Sequence, residues 1–368
     1  MAVPAQTPRL TVRDIRTVGV EIPMTYPLGT SRSVVRAAPL LLIDLETEEG
    51  ITGRAYLWCY LREAMPAVAS IMRVVADTTR GERLAPADLW EKLSKRFALI
   101  GVQGIVRMAM AGFDMAAWDA LSVAAGLPLA SYVGSKPRPI RAYNSCGLGS
   151  QHTLTALTDE AEALLARGFS AVKLRLGYAT LREDLAAVHA VRKRIGGDVA
   201  LMVDYNQALT RAEAMERGRA LDQEGLYWLE EPIRHDDFEG AAVLADALAI
   251  PIQIGENFSG PREMAQALTA KAADYVMPDL ERIGGVTGWL RAAGLAAGHR
   301  IEMSSHLYPE VSAHLLAATP TCHFLEYVDW AEKILETPIE IANGMALVPE
   351  RPGSGVTWNA KAVERYRV

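Results

Sequence analysis

Cysteine is scarce in this sequence, with three in 368 residues: Cys59, Cys146 and Cys322. They lie far apart and form neither a CxxC pair nor a zinc-type spacing. That excludes a disulfide framework and points to free thiols in a reducing compartment. Long apolar runs are also missing. None approaches the ~18 residues that a membrane-spanning helix requires. There is no basic excess either: the formal net charge is -6. No broad positive field therefore invites nucleic acid. The N-terminal stretch MAVPAQTPRL lacks the apolar core of a signal peptide. These absences lead to the expectation of a soluble cytoplasmic protein with neither nucleic-acid nor membrane partners.

What is present is an ordinary globular composition, 50% hydrophobic and 22% charged. It suits one large domain or two, with a substantial core. Residues 10–60 read as strands, with a hairpin turning at Glu49-Gly50. Residues 61–133 carry helical periodicity. The small-residue-rich stretch 104–126 ends at Gly126 before Leu-Pro, a helix stop. GSKPRP, 134–139, has the composition of a linker.

Beyond residue 139 the pattern changes. Eight short apolar runs recur: IRAYNS, AVKLRL, ALMVDYN, LYWLEEP, IPIQIGEN, ADYVMPD, RIEMSSH and HFLEYVD. Each precedes a helical segment. Strand–helix units repeated at this interval imply a parallel βα architecture, and eight of them a closed barrel. The expected fold class is α/β, a modified TIM barrel over 139–335 with an α+β capping domain over 1–133. The segment 336–368, with a turn at Asn343-Gly344, is expected to rejoin the capping domain.

In such barrels the chemistry sits at the C-terminal ends of the strands. The runs end in Ser145, Lys173 and Arg175, Asp204 and Asn206, Glu230, Glu256, Asp279, His306 and Glu326. Charges in a barrel core are costly, so their gathering at one rim needs a reason. Asp204, Glu230 and Glu256 come from three successive strands and supply hard oxygen ligands for Mg²⁺. A single strand-end carboxylate often caps the next helix, but three in succession favour a metal. LEEP leaves a choice between Glu230 and Glu231. Asp279 and His306 end neighbouring strands, and a carboxylate that holds one imidazole nitrogen makes the ring a general base.

These segments resemble the mandelate racemase subgroup of the enolase superfamily. AVKLRLGY, MVDYNQAL, LEEP, IGENFSGP, MPDLERIGGVTGW, MSSHLYPEVSAHLLAATPT and HFLEYVDWA carry the likeness, and TYPLGT, APLLLIDLET and RMAMAGFDMAAWDAL extend it through the N-terminal half. The resemblance implies a (β/α)7β barrel and Mg²⁺ on Asp204, Glu230 and Glu256. It also implies removal of a proton α to a carboxylate, through an enediolate that a divalent cation and fixed donors stabilise. It places Lys173 and Ser145 beside the substrate carboxylate, Asn206 near its hydroxyl, and Glu326 as a neutral acid donating to that carboxylate. Leu28, Val35, Tyr60, Leu99, Leu307 and Val328 match an apolar substrate cavity, under a flap that also carries Arg32 and Arg36. A symmetric homo-oligomer is implied, an octamer being one arrangement. The substrate is then a small 2-hydroxycarboxylate or an acid sugar.

One position departs from the pattern. The subgroup's motif is commonly Lys-x-Lys, its second lysine being the base opposite the histidine, but here Arg175 stands there. A guanidinium titrates at about 12.5–13.8, so deprotonating one at neutral pH costs about 6 units, or roughly 8 kcal/mol. That slows a step by about a millionfold. Three readings stay open. Arg175 is a strongly tuned base in a racemase or epimerase. Alternatively it is an electrophile, with Asp279–His306 as the sole base of a dehydratase. In the third reading the protein binds metal and acid with little turnover.

Overall fold

The computed structural model describes residues 8–368. The chain opens with an antiparallel meander, β1 (Val12–Gly29), β2 (Val34–Thr47) and β3 (Thr52–Trp58). β2 pairs with both neighbours, with Val18 opposite Leu42 and Leu42 opposite Tyr56. Leu40, Leu41, Leu42 and Ile43 are all buried, which explains why β2 reads as a continuous apolar run. Three helices follow: α1 (Met65–Thr79), α2 (Pro86–Arg96) and α3 (Gly104–Ala124). The small residues of α3 have a packing reason. A Cβ on Gly112 would stand 2.5 Å from Ile43 Cδ1, and one on Gly53 would stand 1.9 Å from the Ala116 carbonyl. The helix therefore lies almost backbone to backbone on the meander.

The eight runs beyond residue 139 form the barrel. Its strands are β4 (Ile140–Asn144), β5 (Ala171–Arg175), β6 (Ala200–Asp204), β7 (Leu229–Glu230), β8 (Ile252–Ile254), β9 (Tyr275–Val276), β10 (Glu302–Met303) and β11 (Leu325–Tyr327). Neighbours from β4 to β10 pair in parallel, and β11 pairs with β4. Closure comes from Ser305 N donating to Phe324 O and His323 N donating to Met303 O, both at 3.0 Å. A helical crossover follows each strand up to β10, giving (β/α)7β. Tyr143, Met202, Trp228 and Phe324 pack together with no exposure and plug the barrel beneath its charged rim.

After β11 the chain makes a hairpin, β12 (Glu340–Ala342) and β13 (Met345–Leu347), turning at Asn343 and Gly344 with φ 50° and 70°. β13 pairs with β4 of the barrel, not with the meander. Contact with the N-terminal part comes later, where Trp358 Nε1 donates to Asp44 Oδ1 at 2.8 Å and Val20 bridges to Arg367. α3 ties the two parts together. Asp114 accepts from Thr287 N and Thr287 Oγ1 at 2.8 and 2.5 Å, and Asp119 accepts from Ser354 N and Arg54 N. Among the described residues no helix is long and apolar enough to cross a membrane.

Candidate active site

Parallel strands all point their C-terminal ends one way, so their last side chains meet at one mouth. A cavity of about 260 Å³ lies there. Lys173, Arg175, Asp204, Asn206, Glu256, His306 and Glu326 line it from the barrel. Leu28, Val35 and Tyr60 line it from the N-terminal part. The flap between β1 and β2 is fastened over the mouth. Ser31 Oγ donates to Tyr205 O at 3.1 Å, and Arg32 Nη2 to Gln207 O at 2.8 Å. Tyr60, Asn206, Gln207 and Leu307 all line the cavity with positive φ. Such non-glycine strain persists only where surrounding contacts enforce it, and it gathers at functional sites.

Lys173 is fully enclosed. Its Nζ lies 2.6 Å from Glu230 Oε1, 3.1 Å from Glu326 Oε1 and 3.4 Å from Asp204 Oδ2. Burial alone would lower its pKa, but the three carboxylates hold the ammonium well above its usual range. Glu230 lies beneath the cavity floor, tied also to Trp228 Nε1 at 3.0 Å. Burial pushes it up to about 8 despite Lys173, and repulsion from Asp204 adds to the rise. Glu231 is buried too and is held by Asn257 Nδ2 at 2.8 and 3.0 Å.

His306 stands between two carboxylates. Nδ1 is 2.7 Å from Asp279 Oδ2, and Nε2 is 3.2 Å from Glu256 Oε2. Burial opposes the charged ring, but Glu256, Glu326 and Asp279 together raise its pKa well above the ordinary value. Asp279 lies behind His306 and does double service. Its Oδ1 accepts from Glu281 N and Arg282 N, capping the short helix Leu280–Ile283. Capping and ring orientation are both real here.

Arg175 is 4% exposed, and its fork faces backbone. Nη1 donates to Gly147 O at 2.7 Å, and Nη2 to Ser145 O and Ser145 Oγ, both at 3.1 Å. Nε has no protein partner. Ser145 therefore does not line the cavity; it anchors Arg175 from behind.

Three expectations are corrected. Leu99 is fully exposed, outside the cavity, because the chain turns outward after the buried Phe97 that ends α2. Val328 is buried under the wall, beside a separate small void. The surroundings of Glu326 favour its charged form, against the expected neutral acid. Burial would raise its pKa, but Lys173, His306 and the Leu307 N–H at 2.9 Å pull it down to about 2. Arg36 is exposed and does not line the cavity, whereas Arg32 does.

Reading only the last residue of each run overlooked Trp58, Gln207, Asn257, Arg282 and Trp330, all in the cavity wall. Arg282 sits one helical turn past Asp279, a position that the strand-end rule could have reached by extending three residues.

The carboxylates can be tested against a divalent cation. Among the described residues no three ligating side chains surround one point closely enough to hold an ion in this arrangement. Lys173 lies between Asp204 and Glu230, and His306 draws Glu256 aside. The charge balance still fits a cation. Seven carboxylates (Asp204, Glu230, Glu231, Glu256, Asp279, Glu281 and Glu326) face Lys173, Arg175, Arg282 and one imidazole. That surplus of carboxyl groups, with Glu230 pushed up to about 8 and Glu231 raised by burial, is a buried set of hard oxygen donors whose ionised forms a divalent cation would favour, which suits Mg²⁺.

Comparison with known proteins agrees with this geometry. Residues 12–134 match the mandelate racemase / muconate lactonizing enzyme N-terminal domain, and residues 156–362 the enolase C-terminal domain-like family. The L-talarate/galactarate dehydratase of Salmonella typhimurium is 31% identical over 93% of this chain and 87% of its own. An enolase from alpha proteobacterium bal199, solved with bound magnesium, superposes with TM-score 0.95 at 44% identity, covering 98% of this chain and 100% of that one. A Bradyrhizobium enolase in complex with magnesium and mandelic acid superposes with TM-score 0.94 at 39% identity, covering 99% and 100%. By fold, by the ring of strand-end residues and by these matches, the chain belongs to the mandelate racemase / muconate lactonizing enzyme family of the enolase superfamily.

Proposed function

We propose that this protein removes the α-proton of a 2-hydroxycarboxylate in a magnesium-dependent reaction, with His306 as the single base and dehydration as the outcome. The observation that carries the single-base reading is the hold on Arg175. Its fork is bonded to the carbonyls of Ser145 and Gly147, which favour a cation and accept no proton in return. A racemase needs a base on each face of the α-carbon, and Arg175 is a fixed charge on the face where the second would stand.

Asp204, Glu230 and Glu256 are the residues that would hold magnesium, which when bound supplies positive charge to the carboxylate side of the substrate. Were Glu256 so engaged, His306 would lose one of the anions that raise its pKa, while Asp279 fixes the ring through Nδ1. His306 Nε2 then takes the α-proton. The C–H electron pair forms the Cα–Cβ double bond and the β C–O bond breaks. His306 returns its proton to the departing hydroxyl, so water leaves, and the enol relaxes to a 2-keto acid. Lys173 and Arg175 offset the charge that develops on the substrate carboxylate. We also propose grouping 1–133 with 336–368 as the cap and 139–335 as the catalytic barrel, on the contacts of Trp358 and Arg367 with the meander, although the hairpin within 336–368 pairs with β4 of the barrel.

Relatives support the reading. The Salmonella dehydratase and an arabinonate dehydratase from Saccharolobus solfataricus, 32% identical over 76% of this chain, act by loss of water as their names state. Racemisation is a second reading, favoured by the apolar wall of Leu28, Val35 and Leu307 and by mandelic acid in the Bradyrhizobium relative. A panel of acid sugars with Mg²⁺, assayed for 2-keto product, separates the two. Failure of every β-hydroxylated acid to yield product, with mandelate exchanging its α-proton in D₂O, would refute dehydration.

A further inference from the structure

Asp279 and His306 lie on the turns that follow β9 and β10. The backbones of these two turns are loosely joined. Ser304 N donates to Val276 O at 2.8 Å, but two residues further on the bond from His306 N to Pro278 O has stretched to 3.4 Å. Beyond that point side chains tie the turns together. Asp279 Oδ2 meets His306 Nδ1 at 2.7 Å. Two residues along each turn, Tyr308 Oη donates to Glu281 Oε2. The pairs 279 with 306 and 281 with 308 are thus successive rungs between the same two turns.

The second rung acts on a strained segment. Leu307 and Tyr308 directly follow His306, and both have a left-handed backbone, φ 53° and 51°. Large side chains keep that conformation only where contacts enforce it. For Leu307 one such contact is its N–H to Glu326, and for Tyr308 it is the bond to Glu281. Glu281 is itself held, since its N–H donates to Asp279 Oδ1 at 2.8 Å. The N-terminal part supplies a third member. Trp58 N, at the end of β3, donates to Tyr308 Oη at 3.0 Å and to Glu281 Oε2 at 3.2 Å. Glu281 and Tyr308 are buried behind the cavity, whereas Trp58 lines it. This knot therefore joins one wall of the site to both turns of the dyad.

We propose that Glu281 and Tyr308 are positioning residues for proton abstraction. Their bond, completed by the Trp58 amide, sets the spacing of the Asp279 and His306 turns and so aims His306 Nε2 at the substrate's α-carbon. This rests on His306 being the base. Proton transfer is sensitive to such placement: a shift of about 1 Å at the reacting group can cost about a hundredfold in rate. Without the Tyr308 hydroxyl, the turn after β10 keeps its strained backbone and loses a tie that holds it. His306 is then free to swing about its bond to Asp279. Glutamine at 281 keeps an acceptor for the phenol and the amide, and leucine has none.

The test compares magnesium-loaded wild type with Tyr308→Phe, Glu281→Leu, Glu281→Gln and the double variant Tyr308→Phe/Glu281→Leu. Kinetics use the acid of the panel above that the wild type turns over fastest. Tyr308→Phe and Glu281→Leu should each lower kcat by about tenfold or more, with KM within about threefold. Glu281→Gln should keep kcat within about threefold of wild type. The double variant should be no slower than the slower single one, the mark of two groups acting through one bond. NMR of histidine-selectively ¹⁵N-labelled protein gives a readout independent of turnover. The His306 ring signals, identified by their loss in His306→Asn, should shift in Tyr308→Phe and stay in place in Glu281→Gln. Tyr308→Phe with kcat within about threefold of wild type would overturn the proposal. So would a lower kcat with wild-type His306 signals, since that marks damage elsewhere. Tyr308→Phe, which removes one oxygen, decides alone if Glu281→Leu does not fold. If the wild type turns over no acid, the dehydratase reading fails, and the His306 signals alone decide this one: unchanged signals in Tyr308→Phe overturn it.

Discussion

Arg175→Lys puts the single-base reading at greatest risk. The arginine makes three buried hydrogen bonds, to Gly147 O, Ser145 O and Ser145 Oγ. One ammonium cannot span both carbonyls, so the variant leaves at least one of them unpaired, at a cost of about 1–3 kcal/mol. The melting temperature should fall accordingly. The chemistry should move the other way. An amine beside the charged Lys173 can release its proton, as a guanidinium cannot. In the wild type, use of the guanidinium as a base would cost roughly 8 kcal/mol, about a millionfold in rate. Wild-type protein in D₂O with Mg²⁺ should therefore wash out the α-proton of one C2 epimer only, as followed by proton NMR. Arg175→Lys should begin to exchange the other. If the wild type exchanges both epimers at rates within about tenfold, Arg175 works as a base and the reasoning fails.

Further outcomes follow from the same contacts. Asp279→Asn keeps an acceptor for Glu281 N and Arg282 N but removes the anion behind His306. Steady-state kinetics should show kcat lower by about 10²–10⁴-fold, with a normal thermal melt. Glu256→Gln should abolish most of the stabilisation by Mg²⁺, which for wild type at a hundred times Kd amounts to roughly 2.7 kcal/mol; melts with Mg²⁺ and with EDTA compare the two. Burial pushes His314 down to about 4, its ring between Ala130 N and Ser354 O. The unfolded chain takes up that proton near 6.5 and the folded chain only near 4. Between those values the unfolded state binds more protons, so stability should drop as pH falls through this window, by roughly 3 kcal/mol. Urea unfolding at pH 7 and pH 4.5 should show a smaller difference for His314→Gln than for wild type.

Much of the site was legible because its pieces are local. A strand followed by a helix leaves a short apolar run with a polar last residue, and eight such runs name both the barrel and its rim. Lys173, Asp204, Glu256, His306 and Glu326 were found in this way and line the mouth, as was Asp279, which lies behind His306. Residues contributed by the rest of the chain were less legible. Leu99 was assigned to the cavity on resemblance alone, yet its loop turns outward. The Trp58 and Trp330 rings meet at 4.4 Å, tilted, across 272 positions of sequence, and no local period announces such a meeting.

The sequence by itself determined the architecture, the order of the ionisable groups and the one unusual residue, since strand period, helix stops and side-chain chemistry are properties of short segments. Only the tertiary structure decided what those groups do to one another. Glu326 is biased toward its charged form because Lys173, His306 and the Leu307 amide converge on it. The Arg175 fork is fixed in place because two carbonyls beyond β4 accept its hydrogen bonds. Arg282 faces the cavity because Tyr60, 222 positions earlier, lies beneath it. Charge state and direction depend on neighbours that the chain brings together only by folding, and in a buried site those neighbours outweigh each group's intrinsic preference.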